Sequence, residues 1–164
     1  MPVVTEEGDA AGALAGILIH PDSGKIEGFF LQHTGGRSEQ LFLSTLDIRR
    51  WTNRVVIRSV DVLSPVEERI RLQPLLQEGR PVIGQRMRTE SGRSLGRCSD
   101  IQFDTSHYLL EWLFPRKFFR WDVPMPVSQV VEVRKDAIIM RDPTPITEKE
   151  ELKPAMMPTL PEVA

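Results

Sequence analysis

The chain has 164 residues, 40% hydrophobic and 27% charged, with a net charge of −2, which fits one ordinary globular domain or two small ones. So near-neutral a chain excludes bulk attraction to nucleic acid or anionic membrane, so any such contact has to come from a local patch. Its single cysteine, Cys98, excludes an intramolecular disulfide and a cysteine-based zinc cluster.

In chain order, Pro2-Val-Val4 reads as a short opening strand, followed by a polar turn over residues 5–9. That acidic start, with Glu6, Glu7 and Asp9, is unlike a signal peptide. With no apolar run of about 18 residues to form a spanning helix, a cytoplasmic location is expected. Ala11 to Ile19 is small and apolar and stops at His20-Pro-Asp-Ser-Gly24, where Pro21 and Gly24 supply turn geometry. Lys25 to His33 and Gln40 to Leu43 read as a hairpin around Thr34-Gly-Gly-Arg-Ser38. Leu46 to Trp51 and the β-branched run Val55 to Leu63 complete residues 1–63 as a first all-β module.

Residues 64–79 predict a connector helix, with Ser64 as cap, Pro65 in the first turn and Glu67 closing a capping box. Pro74 is expected to bend or split it and Gly79 to end it.

Residues 80–141 repeat the first module. Gly12 falls opposite Gly96, an offset of 84, and Ile17 and Ile19 fall opposite Ile101 and Phe103. Pro81-Val-Ile83 takes the place of Pro2-Val-Val4. Further on the offset becomes 82, setting Val130 opposite Ile48, Val133 opposite Trp51, and Ala137-Ile-Ile139 opposite Val55-Val-Ile57. Modules this small bury only about 60% of their unfolded surface, so the two are expected to share an interface. From residue 142 the pattern dissolves into a proline-rich, acidic tail with no means of building a core, expected to be flexible and disordered through 164.

These features resemble a tandem of PRC-barrel domains. In the second copy the likeness rests on Pro81-Val-Ile83, Leu95 to Asp104, Pro126-Val-Ser-Gln-Val130 and Asp136-Ala-Ile-Ile139. In the first, looser copy it rests on Ala11-Gly12, Gly16 to Gly24 and Leu43 to Ile48. The resemblance implies an all-β protein of two small barrel modules that serve docking or assembly. Known settings of the family are the cytoplasmic part of the photosynthetic reaction-centre H subunit and the C-terminal domain of a ribosome maturation factor. Nothing here matches the membrane helix of the first or the separate N-terminal domain of the second, so neither role carries over. Every motif of the likeness is a folding motif, without chemistry of its own.

Candidate chemistry is correspondingly thin. His20, His33 and His107 lack the spacing of a metal site, and His20 and His107 fall in the turn after the same strand of each copy. No nucleophile elbow, P-loop or dinucleotide fingerprint occurs. Cys98, opposite Leu14, reads as a buried small hydrophobe. No catalytic residue, metal, cofactor or small-molecule substrate is therefore expected.

The individual stretch is Leu109 to Trp121, read as the hairpin of the second module with its turn at Pro115-Arg-Lys117. It carries Trp112, Phe114, Phe118, Phe119 and Trp121 beside Arg116, Lys117 and Arg120. Aromatics mixed with arginine are what protein interfaces enrich; burial of the extra face against the first module is the alternative. Arg80, Arg86, Arg88, Arg93 and Arg97 precede it and extend the same basic face. The expected partner is a protein. RNA or the ribosome is the alternative, and a peripheral membrane contact stays open.

Overall fold

The computed structural model describes residues 1–32 and 40–144. The hairpin turn expected at residues 34–38, His33, and the tail from 145 onward lie outside the described residues. Most of the rest is β structure in two sheets.

The first module contains β1 (Pro2–Thr5), β2 (Ala10–Ile19), β3 (Ile26–Gln32), β4 (Leu41–Ser44), β5 (Ile48–Trp51) and β6 (Val55–Ile57). With β7 (Ser64–Pro65) they form one sheet in the order β5-β6-β1-β2-β3-β4-β7. The pair β1–β6 is parallel, and the other pairs are antiparallel. After β6 the expected β-branched strand stops early: Val60–Val62 is a 3-10 turn, because the Ser59 hydroxyl caps it by accepting from Asp61 N.

The connector differs from the expected helix. Ser64 and Pro65 are drawn into the sheet edge against Phe42 and Leu41, and the Ser64 hydroxyl accepts from Arg69 Nε at 2.9 Å instead of from a helix-start amide. Two 3-10 turns follow at Val66–Glu68 and Ile70–Leu72, and only α1 (Gln73–Glu78) is α-helical. Pro74 opens this helix instead of splitting it, since the first turn needs no amide from it. Gly79 ends it in the left-handed conformation, as its position predicts. Val66 and Leu72 pack with Phe42, which attaches the connector to the outside of the first sheet. Arg71 reinforces this by donating at 3.0 Å to the buried Glu27 carboxylate on β3.

The second module contains β8 (Arg86–Thr89), β9 (Ser94–Asp104), β10 (Leu109–Lys117), β11 (Arg120–Trp121), β12 (Met125–Pro126), β13 (Val130–Val133) and β14 (Ile138–Met140). Its sheet order is β11-β10-β9-β8-β14-β13, with β12 also on β10, and β8–β14 is the parallel pair.

Pairing registers prove the repeat. Val3 faces Gly12 as Met87 faces Gly96. The Thr5 hydroxyl accepts from Asp9 N as the Thr89 hydroxyl accepts from Arg93 N, both at 3.1 Å. Both glycines sit where a Cβ would collide with the next hairpin, 2.8 Å from Gln32 O at Gly12 and 2.4 Å from Arg116 O at Gly96.

Two expected alignments shift. The opening strand of the second module is β8, not Pro81-Val-Ile83. There Gly84 turns the chain with positive φ and Gln85 N donates to Val82 O, which sinks the Val82 side chain into the core. The last strand is displaced by one residue, so Ile138-Ile-Met140 matches Val55-Val-Ile57. The cause is the turn closed by Arg134 N to Ala137 O, one residue longer than the turn closed by Thr52 N to Arg54 O. The ordered part of the module also runs past its expected end, since the Ser91 hydroxyl donates to Asp142 at 2.7 Å.

The modules share one apolar core that joins Val3, Phe29, Leu31 and Ile57 to Met87, Leu95, Cys98 and Ile138. Their sheets touch where the β2–β3 and β9–β10 turns meet. Ile26 N donates to Tyr108 O at 2.8 Å, and Leu110 N donates to Gly24 O at 2.9 Å. On one side of this seam Trp51 packs on Phe29, Phe103 and Tyr108 with ring centroids 5.1, 5.6 and 6.4 Å away.

Candidate interaction surface

The candidate surface is one face of β8–β9–β10–β11. Across these strands Arg86 pairs with Arg97, Arg97 with Arg116, and Arg116 with Trp121. Directly paired residues project to the same side, so three guanidinium groups stand in a row that ends on an indole. Arg116 lies over the Trp121 ring, 5.4 Å from its centroid. Like charges opposite one another destabilise a sheet by a few tenths to about 1 kcal/mol per pair. The equivalent row in the first module is Pro2, Ala13 and Gln32, in the same register and uncharged. The first module is thus built without arginine at these positions. In the second, among the described residues, only Arg97 of the three side chains has a hydrogen bond within the fold, donating to Gly84 O at 2.9 Å.

Next to the row, the hairpin turn is not at Pro115-Arg-Lys117. Pro115 is buried inside β10 at a register shift opposite Cys98, a place where a strand tolerates a missing amide. The strand continues to Lys117, which pairs with Arg120, so the two-residue turn is Phe118-Phe119. Phe118 has φ of +56°, at a position where glycine is the usual residue. The two rings are 86% and 89% exposed. An aromatic in left-handed backbone, at the apex of a tight hairpin and facing solvent, costs stability and contributes no packing.

Row and apex border an open cleft of about 810 Å³ whose walls include Arg88, Lys117, Phe118, Phe119 and Asp136. Asp136 is 3.6 Å from Arg88; among the described residues Arg86, Arg97, Arg116 and Lys117 make no ion pair. In the sequence Asp136 stands only as part of a folding motif; its neighbour Arg88 is 48 positions away and apparent only through the β8–β14 pairing.

Of the expected site residues, Arg86, Arg88, Arg116, Lys117 and Phe118 line this cleft. Trp121 ends the row and is 57% exposed. Arg120 is across the hairpin from Lys117, and Arg93 is on the β8–β9 turn just outside the cleft. Trp112 and the half-buried Phe114 lie farther along β10, where Trp112 faces Gln102 and Pro126, so they are not part of the apex. The first module does not cover Trp112, Phe118, Phe119 or Trp121, all of which stay exposed. Arg80 belongs elsewhere. It donates to Asp22 at 2.7 and 2.9 Å and holds that carboxyl below the usual range, tying the connector to the His20–Gly24 turn.

The other candidates are structural. Cys98 is in the shared core, and burial pushes its thiol up to about 11. The His107 ring bonds Asp104, whose carboxyl is lowered first by the Ser106 amide and then by His107. By register His20 corresponds to Asp104 and His107 to Ser23, so the two histidines share a turn but not a position. Among the described residues no three His, Cys, Asp or Glu side chains gather as a metal site would need. No described helix is long and apolar enough to cross a membrane.

The chain matches no protein-family model, and a search of curated proteins finds no match.

Proposed function

We propose that this chain is a non-enzymatic docking protein, a tandem of PRC-barrel-like modules whose second module binds a protein partner through the arginine row and the Phe118-Phe119 apex. The observation that carries this reading is the contrast between equivalent rows. Module one has Pro2, Ala13 and Gln32 where module two has Arg86, Arg97 and Arg116. The module tolerates neutral residues at these positions, so mutual repulsion of the arginines serves something outside the fold. Arginine prefers carboxylates in forked geometry, and exposed aromatic anchors beside it are the usual hot spots of protein interfaces. The partner is therefore a protein with a carboxylate-bearing segment next to an apolar pocket that takes the two phenyl rings.

The test is affinity capture with mass spectrometry, comparing the unaltered chain with Arg97→Glu/Arg116→Glu and with Phe118→Ser/Phe119→Ser. The reading expects a protein set that both variants lose. A set that both variants retain overturns it. Capture of RNA instead, with affinity falling steeply as salt rises, would move the row to phosphate binding.

A further inference from the structure

The shared core has a gap on one side that the repeat explains. At the seam, Trp51, Phe29, Phe103 and Tyr108 form a continuous aromatic cluster. Register maps each of them onto the other module. Trp51 corresponds to Val133, Phe29 to Leu113, Phe103 to Ile19 and Tyr108 to Gly24. All four of those smaller residues line a single cavity of about 310 Å³ between the modules. The same architectural site is thus filled by four rings on one side of the seam and, on the other, by four smaller and nearly buried residues beside a cavity.

We propose that this cavity is a binding site for a small planar aromatic molecule of about indole size. Protein interiors are close-packed, and where the fold wants this space closed it closes it with rings, as Trp51 shows. An apolar cavity of roughly 150 Å³ takes one benzene ring, so about twice that volume suits a fused bicycle, and it reaches the lower end of small-ligand pockets. The floor, with Ile19, Val82, Leu110, Leu113, Val133 and Ile138, is apolar and nearly inaccessible to solvent. Polar groups stand only among the remaining lining residues, with His20, Asp22, Ser23 and Glu132. Carboxylate acceptors beside an apolar floor favour a ring with one N–H donor. Both carboxylates are already charge-compensated, Asp22 by Arg80 and Glu132 by Arg134. The site therefore suits a neutral ring better than a cation.

The test uses indole as probe and follows amide chemical shifts of the full chain by NMR. Saturable shifts are expected at Ile19, Gly24, Leu113 and Val133, with none at the Phe118-Phe119 apex. The variant Val133→Trp/Gly24→Tyr rebuilds the aromatic cluster of the other side, with a left-handed tyrosine as at Tyr108, whose φ is +54°. It is expected to keep the circular dichroism spectrum and to weaken indole binding at least about tenfold, the effect of losing some 1.4 kcal/mol. Val133→Phe is the milder second variant if the double one misfolds. Absence of indole shifts in the unaltered chain up to millimolar probe overturns the proposal. So does undiminished binding by a folded, filled variant, and so does binding of a tryptophan peptide where free indole gives nothing.

Discussion

Lys25 and Leu109 pair with each other as an isolated antiparallel bridge, and they are the same position of the repeat, 84 residues apart. A pseudo-twofold axis therefore passes between them. The two flanking hydrogen bonds, Ile26 N to Tyr108 O and Leu110 N to Gly24 O, are exchanged by it. Each module meets the other as a subunit meets its copy in a symmetric dimer, with the same patch used on both sides. The covalent connector then leaves each copy free to diverge, and the arginine row and the open cavity are two places where they have.

This seam predicts cooperative unfolding. Trp51 belongs to module one but packs on Phe103 and Tyr108 of module two. Trp51→Ala is expected to cost about 3 kcal/mol and to lower stability of both modules together. Urea denaturation followed by circular dichroism and by tryptophan fluorescence should give one coincident transition in either protein. Two separated transitions in the unaltered chain would show that the modules fold independently.

Two glycines of one hairpin separate close approach from backbone strain. Gly92 and Gly96 both have positive φ, +91° and +95°, but nothing lies within 4 Å of a Cβ at Gly92, whereas one at Gly96 lies 2.4 Å from Arg116 O. Gly92→Ala is expected to cost about 1–2 kcal/mol, the left-handed penalty alone. Gly96→Ala adds overpacking of about 1–3 kcal/mol and pushes β10 away from β9. Equal melting temperatures for the two variants would contradict this.

Cys98 makes stability fall in alkaline solution. Its thiol is raised from an ordinary value of 9.0 to about 11 because burial disfavours the thiolate. The folded state therefore holds its proton where the unfolded state releases it. The stabilisation is complete below pH 9 and is lost as pH climbs toward 11, by roughly 2–3 kcal/mol. Urea midpoints from pH 8 to 11 should fall more for the unaltered chain than for Cys98→Ala, which lacks the thiol. Parallel falls would assign the alkaline loss to other groups.

The repeat was legible because its markers are backbone devices. Gly12 and Gly96, and the threonine turns at Thr5 and Thr89, keep their spacing whatever packs around them. The connector is less legible, because a capping pattern at Ser64 is local, whereas the edge of β4 nearby offers strand pairing that outcompetes it. The hairpin turn moved from Pro115 to Phe118 for a similar reason. Proline predicts a break, but a register shift against Cys98 accommodates it, and the turn falls on phenylalanines that no turn preference selects. The arginines were visible as a cluster, yet their alignment into one row is a matter of register. The cavity shows in the sequence only as a size difference between counterparts, Val133 for Trp51 and Ile19 for Phe103, and that these residues face one space is again a matter of register.

Alignment of the arginines leads to a prediction in which stability and binding move in opposite directions. Arg97 stands between Arg86 and Arg116, and its counterpart in module one is Ala13. Arg97→Ala removes two like-charge pairs and keeps the fold's own alternative residue, so it is expected to stabilise the protein by about 0.2–1 kcal/mol. The gain should shrink as salt rises from about 0.01 to 1 M, because the screening length falls from about 30 to 3 Å. Arg97 also donates to Gly84 O at 2.9 Å, a charge-assisted but solvent-exposed contact whose loss offsets part of the gain. The same variant should lose the captured partner. Thermal melts at two salt concentrations, set beside the capture experiment, check both halves. A variant that is less stable at low salt would show that the row serves the fold and would remove the reason for assigning it to a partner.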